Sequence, residues 1–381
     1  MSTLKVTNVQ NPSAASAAIT LDTNGQATLN GLAYPTSGSL SGRNRIINGD
    51  MRIDQRNAGA SGTANAFTVD RYFYAGDLAN KITWQQNAGS VTPPAGFTHY
   101  LGFTTTTAYS VGVSETFRFE HRIEGFNCAD LAWGTANAQP VTISFWVRSS
   151  LTGTHAATLQ NNARTRSYPF TWSITSANTW EYKTITIPGD TTGTWLTTNA
   201  TGILMNFNLG AGANLSGAAG SWSSNNYVSA TGATSVVGTN GATFYITGVQ
   251  LEAGSTATPF ERRSYGQELA LCQRYFHKSY NIDTALGTAS TVAGSVGTVT
   301  ASTAGEAMPA ARYPVTMRTS PALTFYSTDT GTSGKVRNVS TGADVNSGSP
   351  NAGGEAGHFG MSGTWTSGQI YRYQYAATSE L

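Results

Sequence analysis

Aromatic side chains within polar loops are the residues of this sequence that could carry recognition chemistry. A flat ring can cover the apolar face of a sugar while neighbouring Asn, Asp, Arg and Thr side chains bond its hydroxyl groups. The candidates for this role are Trp195, Trp222 and Tyr227 in the middle of the chain and Trp365, Tyr371, Tyr373 and His358 near its end. The same rings could instead be core or inter-subunit contacts, and the sequence leaves that alternative open.

The sequence carries no residue pattern of a catalytic centre. It has no phosphate-binding glycine loop and no Gly-x-Ser-x-Gly turn, and its five histidines lack the pair spacing of a zinc site. Glu115, Glu120 and Glu124 could hold a glycosidase pair. They alternate along one predicted strand with arginine and phenylalanine, however, which favours structural salt links. We therefore expect a binding or structural protein and not an enzyme.

Carboxylates and thiols give two further expectations. Asp50, Asp54 and Asp130 could contribute oxygen ligands to a Ca²⁺ site, and the sequence indicates no other cofactor. Cys128 and Cys272 lie far apart in the sequence and lack metal-ligand spacing. Their spacing predicts two buried free thiols.

Composition narrows the class of protein. Of 381 residues, 22 are Lys or Arg and 20 are Asp or Glu, so the formal net charge is +2 and 11% of positions are charged. Helical bundles need charged faces that this chain lacks, and no basic stripe marks a nucleic-acid interface. The 10% of aromatic residues argues against disorder. We expect no membrane span and no signal peptide, because no apolar stretch of about 18 residues and no apolar leader segment is present.

Strand periodicity dominates the elements that must position these residues. Residues 141–148 alternate apolar and polar side chains, as half-buried antiparallel strands do. Similar alternation predicts strands at 67–74, 113–123, 180–187, 203–209 and 244–251. Many short strands separated by Gly/Thr/Asn loops indicate an all-β jelly-roll or β-sandwich domain over residues 44–261.

The two ends of the chain differ from this central domain. Residues 1–43 predict a strand at 4–9 and a hairpin turn at Asn24-Gly25 between strands over 19–29. So few apolar residues cannot bury a core, so this segment must pair with another chain or with copies of itself. Residues 281–381 predict a small terminal β domain. Its predicted strands are 312–318, 322–327 and 369–376, and its loop-rich stretch is 331–363.

One helix is predicted, over about residues 264–278 within a connecting segment at 262–280. Ser264 and Gln267 fit a capping box at its start. The residues that then repeat at helical spacing are Tyr265, Leu269, Cys272 and Phe276. This stripe could dock on the sandwich as a connector, or it could line the threefold axis of a homotrimer.

Three stretches of this sequence resemble a domain found in many bacteriophage fibre proteins. The run NRIINGDMRIDQRN at 44–57 resembles the start of that domain. The run VQLEAGSTATPFERR at 249–263, followed by the helix residues 265–275, resembles its end. Together with the FWVR run at 145–148, these stretches bracket residues 44–278. The opening residues 4–31 are similar to the first residues of structural proteins from short-tailed marine phages, including cyanophages.

The resemblance implies a virion protein, most simply a homotrimeric tail fibre whose jelly-roll body is like a carbohydrate-binding module. Residues 1–43 would attach it to other virion proteins of the tail or capsid. The distal loops of residues 281–381 would bind a host surface glycan or an outer-membrane protein. The alternatives are a head fibre or capsid decoration protein, and a tailspike that degrades glycan. Assembly would take place in the host cytoplasm, without a nucleic-acid partner or membrane insertion.

Overall fold

The structure is a computed structural model that describes residues 42–291, 294–300, 312–352, 354–355, 359–362 and 365–381. Before residue 42 it describes four short strands, β1 (Asn8–Val9), β2 (Ile19–Leu21), β3 (Ala27–Leu29) and β4 (Leu32–Ala33). They pair antiparallel in chain order. Leu21 lies opposite Ala27, which confirms the hairpin predicted over 19–29. Of the strand predicted at 4–9, residues 8–9 form β1 and the others lie outside the described residues.

Thirteen strands form the central domain. They are β5 (Ala66–Val69), β6 (Tyr72–Gly76), β7 (Ile82–Gln86), β8 (Leu101–Thr105), β9 (Thr116–Glu124), β10 (Val141–Ser149), β11 (Gly153–Gln160), β12 (Ser167–Ile174), β13 (Glu181–Ile187), β14 (Thr201–Ala211), β15 (Ser216–Gly217), β16 (Ser229–Ala230) and β17 (Thr243–Ala253). A five-stranded sheet has the order β13-β10-β17-β8-β7, and a six-stranded sheet has the order β12-β11-β14-β9-β6-β5. The paired strands within both sheets are antiparallel.

The two sheets pack face to face, which confirms the predicted β-sandwich. Phe119 of β9 and Phe207 of β14 stack with ring centroids 4.9 Å apart, and Phe145 of β10 meets Phe207 edge-to-face at 5.5 Å. Alternate residues of each strand thus enter one continuous core. The sequence prediction missed β7, β8, β11, β12 and the two-residue strands β15 and β16, and the strand predicted at 67–74 is the hairpin of β5 and β6. In β11 the run Gly153–Gln160 contains mostly small and polar residues, so its apolar alternation is weak.

A segment at 44–55 closes the sandwich through buried polar groups, and we call it the N-terminal clamp. Asn44 donates from Nδ2 to the Val249 carbonyl at 3.1 Å and accepts from the Leu251 N–H at 3.1 Å. The Arg45 N–H donates to the Leu251 carbonyl at 2.9 Å, which adds the segment to the edge of β17. Gly49 lies so close to this strand that an added Cβ would be 2.2 Å from the Val249 carbonyl oxygen.

The helix follows the sandwich as α1 (Tyr265–Gln273). The Ser264 hydroxyl accepts from the Gln267 N–H at 3.3 Å, which confirms the predicted N-cap. The helix is shorter than the prediction of 264–278. Residues 276–278 leave it to form a strand of the C-terminal sheet.

The helix packs on its own chain, which corrects part of the predicted axial stripe. Cys272 is fully buried in a cluster with Ile47 and Ile53 of the N-terminal clamp. Phe276 is buried beneath the Arg56 guanidinium, which lies 3.8 Å from its ring centroid. For these two residues the predicted contact at a trimer axis is wrong, because side chains of their own chain cover them. Tyr265 is 45% exposed and Leu269 is partly buried, and the homotrimer itself stays a prediction.

The remaining strands build a small C-terminal domain. They are β18 (Phe276–Lys278), β19 (Val296–Thr300), β20 (Ala322–Ser327), β21 (Lys335–Asn338), β22 (Ala343–Asn346), β23 (Ser349–Ala352), β24 (Phe359–Ser362) and β25 (Ile370–Thr378). Strand β25 pairs with β18, β19, β20 and β21. The domain therefore takes β18 from the predicted connector at 262–280. Residues 313–318 form no strand, and the stretch predicted as loop at 331–363 contains β21 to β24.

Two smaller expectations concern thiols and membranes. Cys128 and Cys272 are free and buried, as predicted. Among the described residues, no helix is both long enough and apolar enough to cross a membrane.

Candidate functional site

Three tryptophans from three loops meet at one end of the sandwich, and we call them the tryptophan cluster. Trp133 follows β9, Trp195 follows β13 and Trp222 lies between β15 and β16. Their ring centroids are 4.7 Å apart for Trp133–Trp195 and 5.4 Å apart for each of the other two pairs, all edge-to-face. Trp133 is 7% exposed and forms the base, whereas Trp195 and Trp222 are partly exposed.

The polar edge of each indole is bonded to main chain. The Nε1–H of Trp133 donates to the Gln139 carbonyl at 2.7 Å. That of Trp195 donates to the Thr192 carbonyl at 3.2 Å, and that of Trp222 donates to the Pro188 carbonyl at 2.9 Å. These bonds fix the ring orientations before a ligand arrives. The exposed parts of Trp195 and Trp222 are therefore apolar surface held in place.

An ion pair between a buried aspartate and a partly exposed arginine holds the loop that carries Trp195. Arg166 binds Asp190 through two hydrogen bonds, Nε–Oδ2 at 2.7 Å and Nη2–Oδ1 at 2.9 Å, and the Asp190 side chain is 2% exposed. The bond to Asp190 raises the pKa of Arg166 above its usual value. Gly193 lies against the Arg166 stem with a positive φ of 78°, and an added Cβ there would be 2.5 Å from Cγ of the arginine.

Asn161 joins the β11–β12 turn to the same loop. Its Oδ1 accepts from the Thr165 and Arg166 N–H groups, and its Nδ2 donates to the Thr194 carbonyl at 3.1 Å. Two loops are thereby locked together around the tryptophan cluster. The hydroxyl groups of Thr165 and Thr192 lie in these same loops.

Tyr227, another predicted ring, is used differently. Its ring lies over Gly217, where an added Cβ would be 2.2 Å from the ring, and its hydroxyl accepts from Asn225 Nδ2 at 2.9 Å. Its ring therefore packs on the backbone of β15. Tyr168 of β12, which the prediction did not include, meets Trp222 edge-to-face at 5.1 Å.

The C-terminal rings are core residues, so their predicted exposure is wrong. Trp365 and Tyr371 are each 2% exposed, and Tyr373 is fully buried. The cause is that β25 is the central strand of its sheet, and its tyrosines face a core with Phe325. Trp365 contacts Tyr371 edge-to-face at 5.0 Å. The remaining candidate, His358, lies outside the described residues.

The three aspartates suggested for calcium have separate partners. Asp50 pairs with Arg52 at 3.0 Å, and Asp130 pairs with Arg45 at 2.7 Å. Asp54 accepts from the Asn57 and Gly59 N–H groups. Among the described residues, no group of three or more His, Cys, Asp or Glu side chains is arranged to hold a metal ion.

The glutamates weighed as a glycosidase pair have structural partners, as the sequence favoured. Glu120 pairs with Arg122, and Glu124 pairs with Arg274 at 2.6 Å. Glu115 accepts from the Tyr109 hydroxyl at 2.8 Å.

Sequence reasoning missed Trp133 and the Arg166–Asp190 pair. Trp133 stands in the run Ala132-Trp133-Gly134-Thr135, which has the same small and polar neighbours as the runs around Trp195 and Trp222. That signal was available. No sequence pattern pairs Arg166 with Asp190, because the contact depends on how two loops close.

Comparisons with known proteins give only distant likeness. No protein-family model matches the sequence, and no curated protein matches it. Solved structures similar to this chain include the enzymatically active domain of tailspike protein 4 of bacteriophage CBA120, at 12% identity and a TM-score of 0.29, over 58% of this chain and 24% of that one. The family 11 carbohydrate-binding module of a Clostridium thermocellum cellulosomal cellulase is similar at 12% identity and a TM-score of 0.26, over 52% of this chain and 98% of that one. TmCBM61 in complex with β-1,4-galactotriose is similar at 13% identity and a TM-score of 0.25, over 53% of this chain and 99% of that one.

Two Arg–Asp pairs of like geometry test how the site is held. Asp190→Asn should lower the free energy of unfolding by about 3 kcal/mol, because it leaves the Arg166 guanidinium without its buried counter-charge. Asp130→Asn is the matched control, since Asp130 binds Arg45 through two similar bonds but its side chain is 65% exposed. We expect a cost of about 1 kcal/mol or less there. Equal effects in urea unfolding would contradict the role given to Asp190.

Proposed function

We propose that this chain is a bacteriophage fibre protein of the virion and that its sandwich domain binds a saccharide of the host surface. The binding proposal rests on two partly exposed rings, Trp195 and Trp222, at one end of the sandwich. Their N–H groups are bonded to main-chain carbonyls, which fixes the ring orientations. A pyranose has an apolar face of C–H groups and a polar rim. Fixed rings and nearby threonine hydroxyls are complementary to that ligand.

Rigidity supports binding at this end of the sandwich. The Arg166–Asp190 pair and the Asn161 bonds hold both loops in one arrangement. Little conformational entropy is therefore lost when a ligand orders the loop side chains. We place recognition here and not on the C-terminal tyrosines, whose rings are buried.

The virion role is supported by the stretches that resemble phage fibre domains, above all residues 44–57 and 249–263. The first stretch forms the N-terminal clamp. The second forms the C-terminal end of β17 and the residues that follow it, and Asn44 of the clamp bonds to this strand. We propose that residues 1–43 attach the protein to the particle, that the assembly is a homotrimer, and that the protein binds glycan without cleaving it. Three copies side by side would add avidity to a weak single site.

Single tryptophan variants test the binding site. We expect Trp195→Ala and Trp222→Ala each to cost about 2 kcal/mol of binding free energy, as central aromatic contacts do, which is about a 30-fold loss of affinity. The measurement is titration calorimetry against oligosaccharides released from the host surface. Trp180→Ala is the matched control, because Trp180 is also a partly buried loop residue whose Nε1 bonds a carbonyl, that of Thr92 at 2.9 Å. Loss of affinity in the control alone would refute the assignment.

Truncation tests the virion role. A chain lacking residues 1–43 should fold and stay oligomeric, because the described cores begin beyond that point. It should not enter particles when it replaces the full chain during phage growth. Immunoblots of purified virions give the result, and normal incorporation of the truncated chain would move the anchor elsewhere.

A further inference from the structure

A second polar site lies on the outer face of the six-stranded sheet, and we call it the arginine groove. It consists of Arg118, Glu120 and Arg122 of β9 and Arg164 from the β11–β12 turn. The Glu120 carboxylate is the centre: Oε1 accepts from Arg122 Nε at 2.9 Å, and Oε2 lies 3.5 Å from Arg118 Nε and 3.6 Å from Arg164 Nη2.

Exposure separates the charges of the groove by depth. The Glu120 side chain is 2% exposed, whereas those of Arg122 and Arg164 are 34% and 32% exposed. The carboxylate therefore lies beneath the guanidinium groups that it orients. A molecule that approaches from solvent meets the positive groups first.

Positive charge in the groove exceeds the negative charge that balances it. Among the described residues, Glu120 is the one carboxylate within 4 Å of the Arg118 and Arg164 guanidinium groups. Arg118 has a second acceptor, Asn206 Oδ1 at 3.2 Å, and Arg122 also donates to the Leu381 main-chain oxygen at 2.7 Å. Burial and the two neighbouring arginines lower the pKa of Arg164. A second anion would relieve this repulsion.

The surroundings suit a sugar that carries such an anion. Phe73 lies directly across from Glu120 in the β6–β9 pairing, and Phe67 contacts Phe73 edge-to-face at 5.1 Å. These two rings line a cavity of about 130 Å³ together with Arg71, Glu120, Arg122, Glu380 and Leu381. Arg71 pairs with Glu380 and Arg122 pairs with Glu120, so the excess positive charge lies on Arg118 and Arg164, on the other side of Glu120. Drug-sized ligands take about 300–1,000 Å³, so this cavity fits no more than a small group of a larger ligand. Apolar rings beside guanidinium groups match a sugar face beside an oxyanion.

One turn connects the groove to the tryptophan cluster. Arg164 and Arg166 are two residues apart in the β11–β12 turn. Arg164 reaches Glu120 in the groove, and Arg166 reaches Asp190 beside Trp195. A saccharide chain bound at one site thus has the other site on the far side of the same turn.

We propose that the arginine groove binds the oxyanion of an acidic saccharide, a carboxylate or sulfate group, so that the glycan ligand is anionic. This inference rests on the glycan-binding function proposed above and adds the class of its ligand. Guanidinium groups bind carboxylate and sulfate oxygens through paired, charge-assisted hydrogen bonds. Glu120 acts as a positioning residue for them.

The test compares charged and neutral oligosaccharides on the full-length chain. The probes are oligogalacturonate, sulfated dextran oligomers and uncharged dextran oligomers, with inorganic sulfate as a free anion. Arg164→Gln should weaken binding of one acidic probe about tenfold, as expected for loss of one charged hydrogen-bonding partner, and leave dextran binding unchanged. Arg164→Lys should lie between, because it keeps the charge without the planar fork. The preferred acidic probe tells carboxylate from sulfate.

Controls separate this inference from the function on which it rests. Arg148→Gln removes the same charge from the opposite sheet, where Arg148 Nε bonds the Asn178 carbonyl at 2.9 Å, and it should retain acidic binding. An equal loss in this variant, or wild-type protein that binds all probes alike, would overturn the groove while leaving the tryptophan site intact. Inorganic sulfate that binds as well as the sulfated oligomer would reduce the groove to a free-anion site and also overturn it. Oligosaccharide binding that no tryptophan variant weakens would refute the function proposed for the cluster, whatever the arginine variants show.

Discussion

Buried polar bonds between the N-terminal clamp and the segment after β17 are the constraint on which the rest of this structure depends. Arg263 donates to the Ile46 carbonyl at 3.1 Å and pairs with Glu268 at 3.3 Å, and Glu268 in turn accepts from the Asn48 N–H at 2.5 Å. Glu261 accepts from the Asn44 N–H at 2.7 Å. Groups buried this deeply must find partners or cost free energy, so each bond fixes a residue type at both ends.

The same constraint seats the C-terminal domain on the sandwich. The helix is set by Glu268 and Cys272 on the N-terminal clamp, and it delivers Arg274 and Tyr275 to Glu124 of β9. Tyr275 donates to Glu124 Oε2 at 2.6 Å and lies under the Arg71 guanidinium, 3.5 Å from its ring centroid. Strand β18 follows at once and pairs with β25. The helix therefore packs against its own chain, which is why Cys272 of the predicted axial stripe is buried.

Secondary structure was predictable from the sequence where a single local rule decides it. Period-two alternation located the strands around Phe119, Phe145 and Phe207, since each must place one face in the core. The cap at Ser264 was legible for a similar reason, because a helix start leaves N–H groups that a hydroxyl can satisfy. The N-terminal clamp explains why two distant stretches carried the resemblance: they bond to each other, so their residue types are constrained together.

Prediction failed where burial depends on how strands assemble. Tyr371 and Tyr373 alternate with polar residues as an exposed strand would, yet β25 became the centre of its sheet and their rings became core. The loop around Trp195 showed the opposite case, since its polar composition gave no hint that Asp190 would be buried under Arg166. Of the tryptophan cluster, Trp195 and Trp222 were predicted as separate rings and Trp133 was missed, because only the closure of three loops brings the three rings together.

The central claim is that the tryptophan cluster contacts saccharide, and indole ¹⁵N NMR tests it most directly. The N–H resonances of Trp195 and Trp222 can be assigned from single phenylalanine substitutions and followed during titration with host-surface oligosaccharide. We expect both resonances to shift together and to saturate, while those of Trp180 and the buried Trp84 stay in place. Saturable binding that shifts Trp180 and leaves Trp195 and Trp222 unmoved would contradict the account.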